Sequence, residues 1–343
     1  MPNANYLRRY QLYIGFPEEY YKVNTAKINQ GSYSNVIDGA VEGFTDLNPP
    51  ELMTIPKEAG IFLDDLRVTC DVSGTTESSG SDTRKASIKI YNANQNTRAK
   101  LNQKNLKVIL KAGYLEDLNN DSLPVLISGQ VSRVTHSRVG SNIVTTLQVS
   151  DGYTPHTTSK VNVSLPSDYL KPITARNVLQ YLVNVWKANG VSSDNSTIEY
   201  DFTLDSVKYY AGWTGTGYLK DVMDNFCEQN GLEWYTVNST LYVQRKGSVQ
   251  VKELFTPNTS NLVLIESIVN SQSSSSETEE VGRVKVELVM DARMKEGAFL
   301  EIPKNLLRGD KKALIGVYKI KKVSHLFDSF QGVSRTTLEG DKV

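Results

Sequence analysis

Between Ser87 and Gly152 the chain alternates apolar and polar residues in four short runs. They are Ser87-Ile-Lys-Ile-Tyr91, Leu106-Lys-Val-Ile-Leu-Lys-Ala-Gly-Tyr114, the stretch from Val125 to His136, and Ile143-Val-Thr-Thr-Leu147-Gln-Val149. Turn formers (Asn92, Gly113, Asn119, Asn120, Pro124, Gly140) separate them. Alternation of this kind between turn formers predicts strands buried on one face. Ile88 and Ile90 share a face, as do Leu106, Val108 and Leu110, and then Ile143, Thr145, Leu147 and Val149. A meander of about four such strands with short connections closes most easily as a barrel or small sandwich. Residues 9–15 predict an opening strand with Tyr10, Leu12 and Ile14 on one face. Residues 61–72 predict another, in which Leu66, Val68, Cys70 and Val72 alternate. Residues 17–56 are polar, and Asn48-Pro49-Pro50 excludes regular structure there. Residues 73–82 read as a flexible hairpin extension, cheap because doubling a loop costs only about 0.6 kcal/mol. A segment ordered by a partner has the same composition.

After Gly152 the period changes. In Pro172–Gly190, Val178, Leu179, Leu182, Val185 and Trp186 form one helical stripe, with Thr174 placed to cap the start and Gly190 to stop the end. A second helix, from about Gly217 to Asn230, carries Leu219, Val222, Met223, Phe226 and Cys227, with Gly231 as its stop. The stretch from Leu232 to Val243 predicts a hairpin turning at Asn238-Ser239. Five apolar residues per helix, at about 1.5–3 kcal/mol each when buried, suffice to dock both helices on that hairpin.

The last third returns to strands at residues 262–265, 284–290, 299–302, 315–323 and 335–338. Residues 270–280 are low-complexity, serine-rich and acidic, a solvated loop or a docking loop. Gly129-Gln-Val-Ser-Arg-Val134-Thr-His136 resembles Gly316-Val-Tyr-Lys-Ile-Lys-Lys-Val323-Ser-His325. Thr145-Thr146-Leu147 with Asp151 is echoed by Thr336-Thr337-Leu338 with Asp341. If these are copies, two related barrels flank the α+β module. The expected fold is therefore mainly β with a small α+β module. Its parts are a first tube-like β-barrel at 1–152, a helix-containing middle domain at 153–247, and a second tube-like β-barrel at 248–343.

Charge removes some functions. The 38 Lys and Arg balance 38 Asp and Glu, whereas a protein gripping phosphates carries a basic excess. No apolar run approaches the roughly 18–20 residues of a membrane span, and the first nine residues lack the apolar core of a secretory signal. Cys70 and Cys227 fall in different parts of the chain, so neither a disulfide framework nor a C-x-x-C site is expected. The histidines are His136, His156 and His325; His136 and His325 read as imidazoles at strand ends, edging the core. Gly212-Trp-Thr-Gly-Thr-Gly217 is glycine-rich but lacks the P-loop lysine, and reads as the entry loop of the second helix. Asp64-Asp65 and Asn119-Asn120-Asp121 match no calcium-loop spacing and read as turn residues. No catalytic, cofactor-binding or metal-ligating residue is assigned, and no cofactor is expected.

The string Ile88-Lys-Ile-Tyr-Asn92, Ala112-Gly113-Tyr114, Ile127-Ser-Gly129, Val134-Thr-His136 and Asp151-Gly152 resembles the first barrel of baseplate hub proteins of contractile-tailed bacteriophages. The helix pair, Gly231-Leu-Glu-Trp234 with Leu241-Tyr-Val243, and Gly316-Val-Tyr318, Val323-Ser-His325 and Thr336 are similar to later parts of that family. The resemblance implies a structural protein of the virion tail baseplate, made in the host cytoplasm. It implies a homotrimer whose ring of six barrels adapts a sixfold tail tube, or its initiator, to a threefold central spike beside other baseplate proteins. It also implies passage of DNA without specific binding, and no membrane insertion. Two other classes stay open on the residues alone: a tail-associated hydrolase of cell-wall polymer, and a carbohydrate-binding β module for host recognition.

Overall fold

The computed structural model describes residues 8–15, 61–76, 84–103, 106–114, 123–188, 197–198, 202–238, 240–246, 254–268, 282–307 and 314–343. The polar stretch at 17–56, the acidic serine run at 270–280, Gly190, Ser239 and the Asn119–Asp121 turn lie outside them.

The first part is made by β1 (Arg8–Gly15), β2 (Ile61–Leu63), β3 (Val68–Thr75), β4 (Lys85–Tyr91), a short helix α1 (Gln95–Leu101), β5 (Lys107–Tyr114), β6 (Val125–Val139) and β7 (Asn142–Ser150). Their alternation places Tyr10, Leu12, Ile14, Val68, Cys70, Val72, Ile88, Ile90, Leu147 and Val149 in one core. Two expectations change here. The single strand at 61–72 is broken at Asp64-Asp65-Leu66, where exposed carboxylates bend the chain between β2 and β3. Ser73, Gly74 and Thr75 are strand rather than loop, because they pair with Ser324, Val323 and Lys322, Ser73 also pairs with Lys85, and Thr76 still donates its N–H to the carbonyl of Lys321.

The order is also not a simple meander. β5, β6 and β7 are consecutive neighbours, but β4 pairs with β7 rather than β5. The connection from β4 to β5 is long enough to carry α1, capped by Asn94 through its bond from the Thr97 N–H, so it crosses instead of turning back.

The middle part holds α2 (Tyr153–Thr157), β8 (Lys160–Leu165), β9 (Ile173–Thr174), α3 (Ala175–Ala188), β10 (Thr197–Ile198), α4 (Phe202–Ser206), β11 (Lys208–Tyr209), β12 (Trp213–Tyr218), α5 (Leu219–Gln229), β13 (Leu232–Val237) and β14 (Thr240–Arg245). Both helical stripes are buried as their spacing requires. Thr174 and Asn177 bond each other's backbone N–H at the start of α3, and Gly231 takes φ +66° after α5. The Trp186 and Trp234 rings meet edge to face with centroids 4.8 Å apart. The glycine-rich run at 212–217 is a correction: its residues from Trp213 on form β12, antiparallel to β8, and lead straight into α5.

The last part is β15 (Leu254–Phe255), β16 (Leu262–Ile268), β17 (Arg283–Val289), β18 (Phe299–Ile302), β19 (Gly316–Asp328) and β20 (Arg335–Lys342). Val284, Val286, Leu288, Tyr318, Ile320, Val323 and Leu338 form its core. Both β parts belong to one 13-stranded sheet, running β16-β17-β20-β19-β3-β4-β7-β6-β5-β1-β2, with β18 on β19 and β15 on β18. The fold is mainly β, with two barrel-like parts and a helix-containing part between them in sequence.

Candidate assembly interface

β19 joins the two barrels. Its start pairs with β18 in its own barrel, and residues 322–328 pair with β3 of the other. A bulge that skips Lys321 between these halves re-aims the strand. Phe327 thereby enters the first core, where Met290 and Ala292, from the stretch after β17, also pack. The core of the first barrel thus includes side chains from the second.

Polar groups fix the same seam. Arg67 meets the Asp328 carboxylate at 2.8 Å, Ser329 Oγ accepts from the Val68 N–H, and Arg8 donates to the Asp328 carbonyl. Burial acts to raise the Asp328 carboxyl, but bonds from Arg67 and the Phe330 N–H outweigh it and hold the group below its usual range. Arg84 and Glu296 lie deeper, 3.8 Å apart. His325 is fully buried beside them; burial first, then the Arg84 charge, hold its imidazole well below the ordinary value.

The two barrels are built alike. The strand order β3-β4-β7-β6-β5-β1 corresponds to β16-β17-β20-β19-β18-β15. His136 faces Thr145 and His325 faces Thr336, with Nδ1 at 3.0 Å and 2.9 Å from the hydroxyl oxygens. Val134 faces Leu147 as Val323 faces Leu338. The register of β6 on β7 skips Ser132 as that of β19 on β20 skips Lys321. The repeat read from the sequence is thus a repeat of structure. Three details depart from it, the first being that Gly129 falls level with Tyr318 and not with Gly316. β15 runs parallel to β18 where β1 is antiparallel to β5. Asp341 does not reproduce Asp151, which is buried, whereas Asp341 lies 3.7 Å from Arg283 at the surface. The two histidines sit inside long strands rather than at strand ends.

The middle part touches both barrels. The Asn238 side chain accepts from the Ser128 N–H and donates to the Val125 carbonyl, each at 3.2 Å. This bridges the tip of the β13–β14 hairpin to β6, and a left-handed φ of +53° at Asn238 aims it there. Lys319 of the second barrel meets Glu233 at 2.9 Å.

Groups with chemical potential are used structurally. His156 lies against Trp186 and Trp234, and burial followed by the Lys220 and Lys85 charges lowers its pKa to about 3. Cys70 and Cys227 are buried free thiols pushed up by burial. Among the described residues no group of three or more His, Cys, Asp or Glu is placed to hold a metal ion. A shallow hollow lined by Arg8, Asp64, Asp65, Arg67 and Phe330 opens at the barrel seam. No described helix is long and apolar enough to cross a membrane. Sequence reading missed Arg84, Glu296 and Asp328, because each stands in or beside a polar loop and nothing in the alternation marks it as buried.

No protein-family model matches the sequence, and no curated protein matches it. Solved structures do match. The 43 kDa tail protein of prophage MuSo2 from Shewanella oneidensis superposes with a TM-score of 0.55 at 9% identity, covering 82% of this chain and 94% of that one. The E. coli c3393 protein is a type VI secretion component with structural similarity to the T4 bacteriophage tail proteins gp27 and gp5. It matches with a TM-score of 0.51 at 8% identity, over 81% of this chain and 73% of that one. The lidded Francisella PdpA–VgrG complex matches with a TM-score of 0.51 at 10% identity. There 98% of this chain covers 53% of the other, about half its length. At these identities the likeness is one of fold. The resemblance to phage tail hub proteins seen in the sequence holds at that level.

Proposed function

We propose that this chain is a structural, non-enzymatic protein of a phage tail, forming a trimeric baseplate hub ring. In this reading 1–152 and 248–343 are the two tube-like units and 153–247 is the middle domain. One observation carries it: a single chain holds two equivalent barrels joined edge to edge by β19 and β3. Three such chains present six similar barrels, a ring that fits a sixfold tail tube on one side and a threefold spike on the other. The tail-protein fold supports this assignment. The zero net charge suits a channel through which DNA passes, since a basic bore would hold the phosphates.

The test is the mass of the purified chain alone and co-expressed with its tube and spike partners. The ring should weigh about 115 kDa by light scattering, three times 38.2 kDa. A chain still monomeric with both partners present, or one that cleaves a glycan or peptide by itself, overturns the reading.

A further inference from the structure

The middle part turns one polar face of its β8–β12 ribbon to solvent. The two strands pair antiparallel, with Lys160, Asn162 and Ser164 opposite Tyr218, Thr216 and Thr214. Val161, Val163 and Leu165 between them are buried, so these six residues share the outer face, and all six are exposed. Lys160 Nζ lies 5.3 Å from the Tyr218 ring centroid, and Thr216 donates to Asn162 Oδ1 at 3.4 Å. The Ser164 and Thr214 hydroxyls make no hydrogen bond among the described residues.

Two fixed loops meet at the end of the ribbon where β8 stops and β12 begins. In the first, Asp168 accepts from the Leu170 N–H through Oδ1 at 3.0 Å and from the Lys171 N–H through its carbonyl at 3.1 Å. Ser167 Oγ accepts from the Ile173 N–H at 3.1 Å. In the second, Gly212 takes φ +84°, and a Cβ there would stand 2.6 Å from the Leu165 carbonyl oxygen. The loops therefore lie against each other. They hold the Tyr169 and Tyr210 rings with centroids 5.7 Å apart at 41°. Tyr169 is 80% exposed, Leu170 85% and Tyr210 53%. Rings held in water by pinned loops serve no core.

We propose that the ribbon face and the tyrosine pair at its end form a binding strip for an uncharged oligosaccharide chain. A sugar ring has a C–H face that packs on an aromatic ring, and a rim of hydroxyls that pairs with hydroxyl and amide side chains. The strip supplies both, with tyrosines at its two ends and Asn162, Ser164 and Thr214 between. Rows two residues apart are about 6.8 Å apart, so the six ribbon residues cover on the order of 200 Å². A stable protein–protein contact takes roughly 800 Å² from each partner. The strip is too small for that and matches a short run of sugars. Lys160 is the one charged residue of the six and already sits over Tyr218, so a charged partner gains little. The proposal goes beyond the ring reading and stands without it.

The full chain is mixed with the tetramer of N-acetylglucosamine and, separately, with the tetramer of glucose. Saturation-transfer NMR reads which sugar protons touch it. A roughly millimolar dissociation constant is expected for so small a contact. Transfer to the first sugar points to an N-acetylated wall backbone, and to the second to an unacetylated surface polymer; either supports the strip. Tyr169→Ala and Tyr210→Ala should each weaken binding by roughly fivefold to tenfold. Tyr169→Phe keeps the ring and should bind nearly as the parent does. All three changes are at exposed positions, and unchanged melting curves confirm that the variants fold. No transfer to either sugar at about 10 mM overturns the proposal. So does binding that ignores both alanine variants, which places the sugar elsewhere. Loss of tube or spike capture in these variants, with no sugar bound by the parent, overturns it in favour of a protein contact.

Discussion

Arg84 and Glu296 come from different barrels, yet their charged ends stand 3.8 Å apart with 1% and 2% of the side chains exposed. Neither the guanidinium nor the carboxylate reaches a hydrogen-bond partner among the described residues. A buried pair of this kind adds little net stability, but removing one member strands the other charge in the interior. Glu296→Ala is expected to cost about 3–5 kcal/mol in urea unfolding. The double change Arg84→Met with Glu296→Leu should cost clearly less. Equal losses in both would mean that the pair matters through packing alone.

Gly74 explains how Glu296 reaches that position. A Cβ on Gly74 would overlap Glu296 Oε1 and stand 2.8 Å from its Cδ. Gly74→Ala should therefore destabilise the chain by about 1–3 kcal/mol through overpacking. In a Glu296→Ala background the overlapping atoms are gone, so the two losses should fall short of additive. Strict additivity in that cycle would show that Gly74 is needed for its own backbone and not for its neighbour.

Much of this fold was legible because barrel strands with one buried face alternate. Leu12, Val72, Ile88, Leu147 and Val286 all announce their strands this way, and both helical stripes declare themselves by period. The repeat was legible because His136 with Thr145 and His325 with Thr336 keep chemically distinctive pairs in matching registers. What stayed hidden has physical reasons. β9, β10, β11 and β15 span two residues each, too short for any period. β12 is Trp-Thr-Gly-Thr-Gly-Tyr, a strand held by its six-residue pairing with β8 rather than by apolar alternation. The seam depends on β19 continuing past its own barrel, and a strand pattern does not say which sheet each half will join.

Trp186 is fully buried at the centre of the middle core, against Trp234 and His156. Trp186→Ala should cost roughly 3–5 kcal/mol, as large-to-small core changes do. The loss should be local. Hydrogen exchange is expected to accelerate in α3, α5 and the β13–β14 hairpin, while β4 and β7 of the first barrel keep their protection. An unchanged melting curve would remove Trp186 from the core.

His156 makes stability depend on pH. Both ring nitrogens are shut from solvent and have no hydrogen-bond partner among the described residues, and its pKa is lowered to about 3 by burial and then by Lys220 and Lys85. An unfolded imidazole titrates near 6.5. Below that pH the unfolded chain binds a proton that the folded site refuses, so stability falls as pH drops from about 6.5 towards 3. The slope approaches 1.4 kcal/mol per unit, roughly, for this one group. His325, also held low, adds loss in the same direction below the same upper limit. His156→Phe keeps a ring between the two tryptophans and removes the titration. Relative to the parent chain it should gain stability progressively between pH 6.5 and 4.5, read from urea midpoints at each pH. A difference that stays constant across that window would mean that His156 opens to solvent and accepts its proton in the folded state.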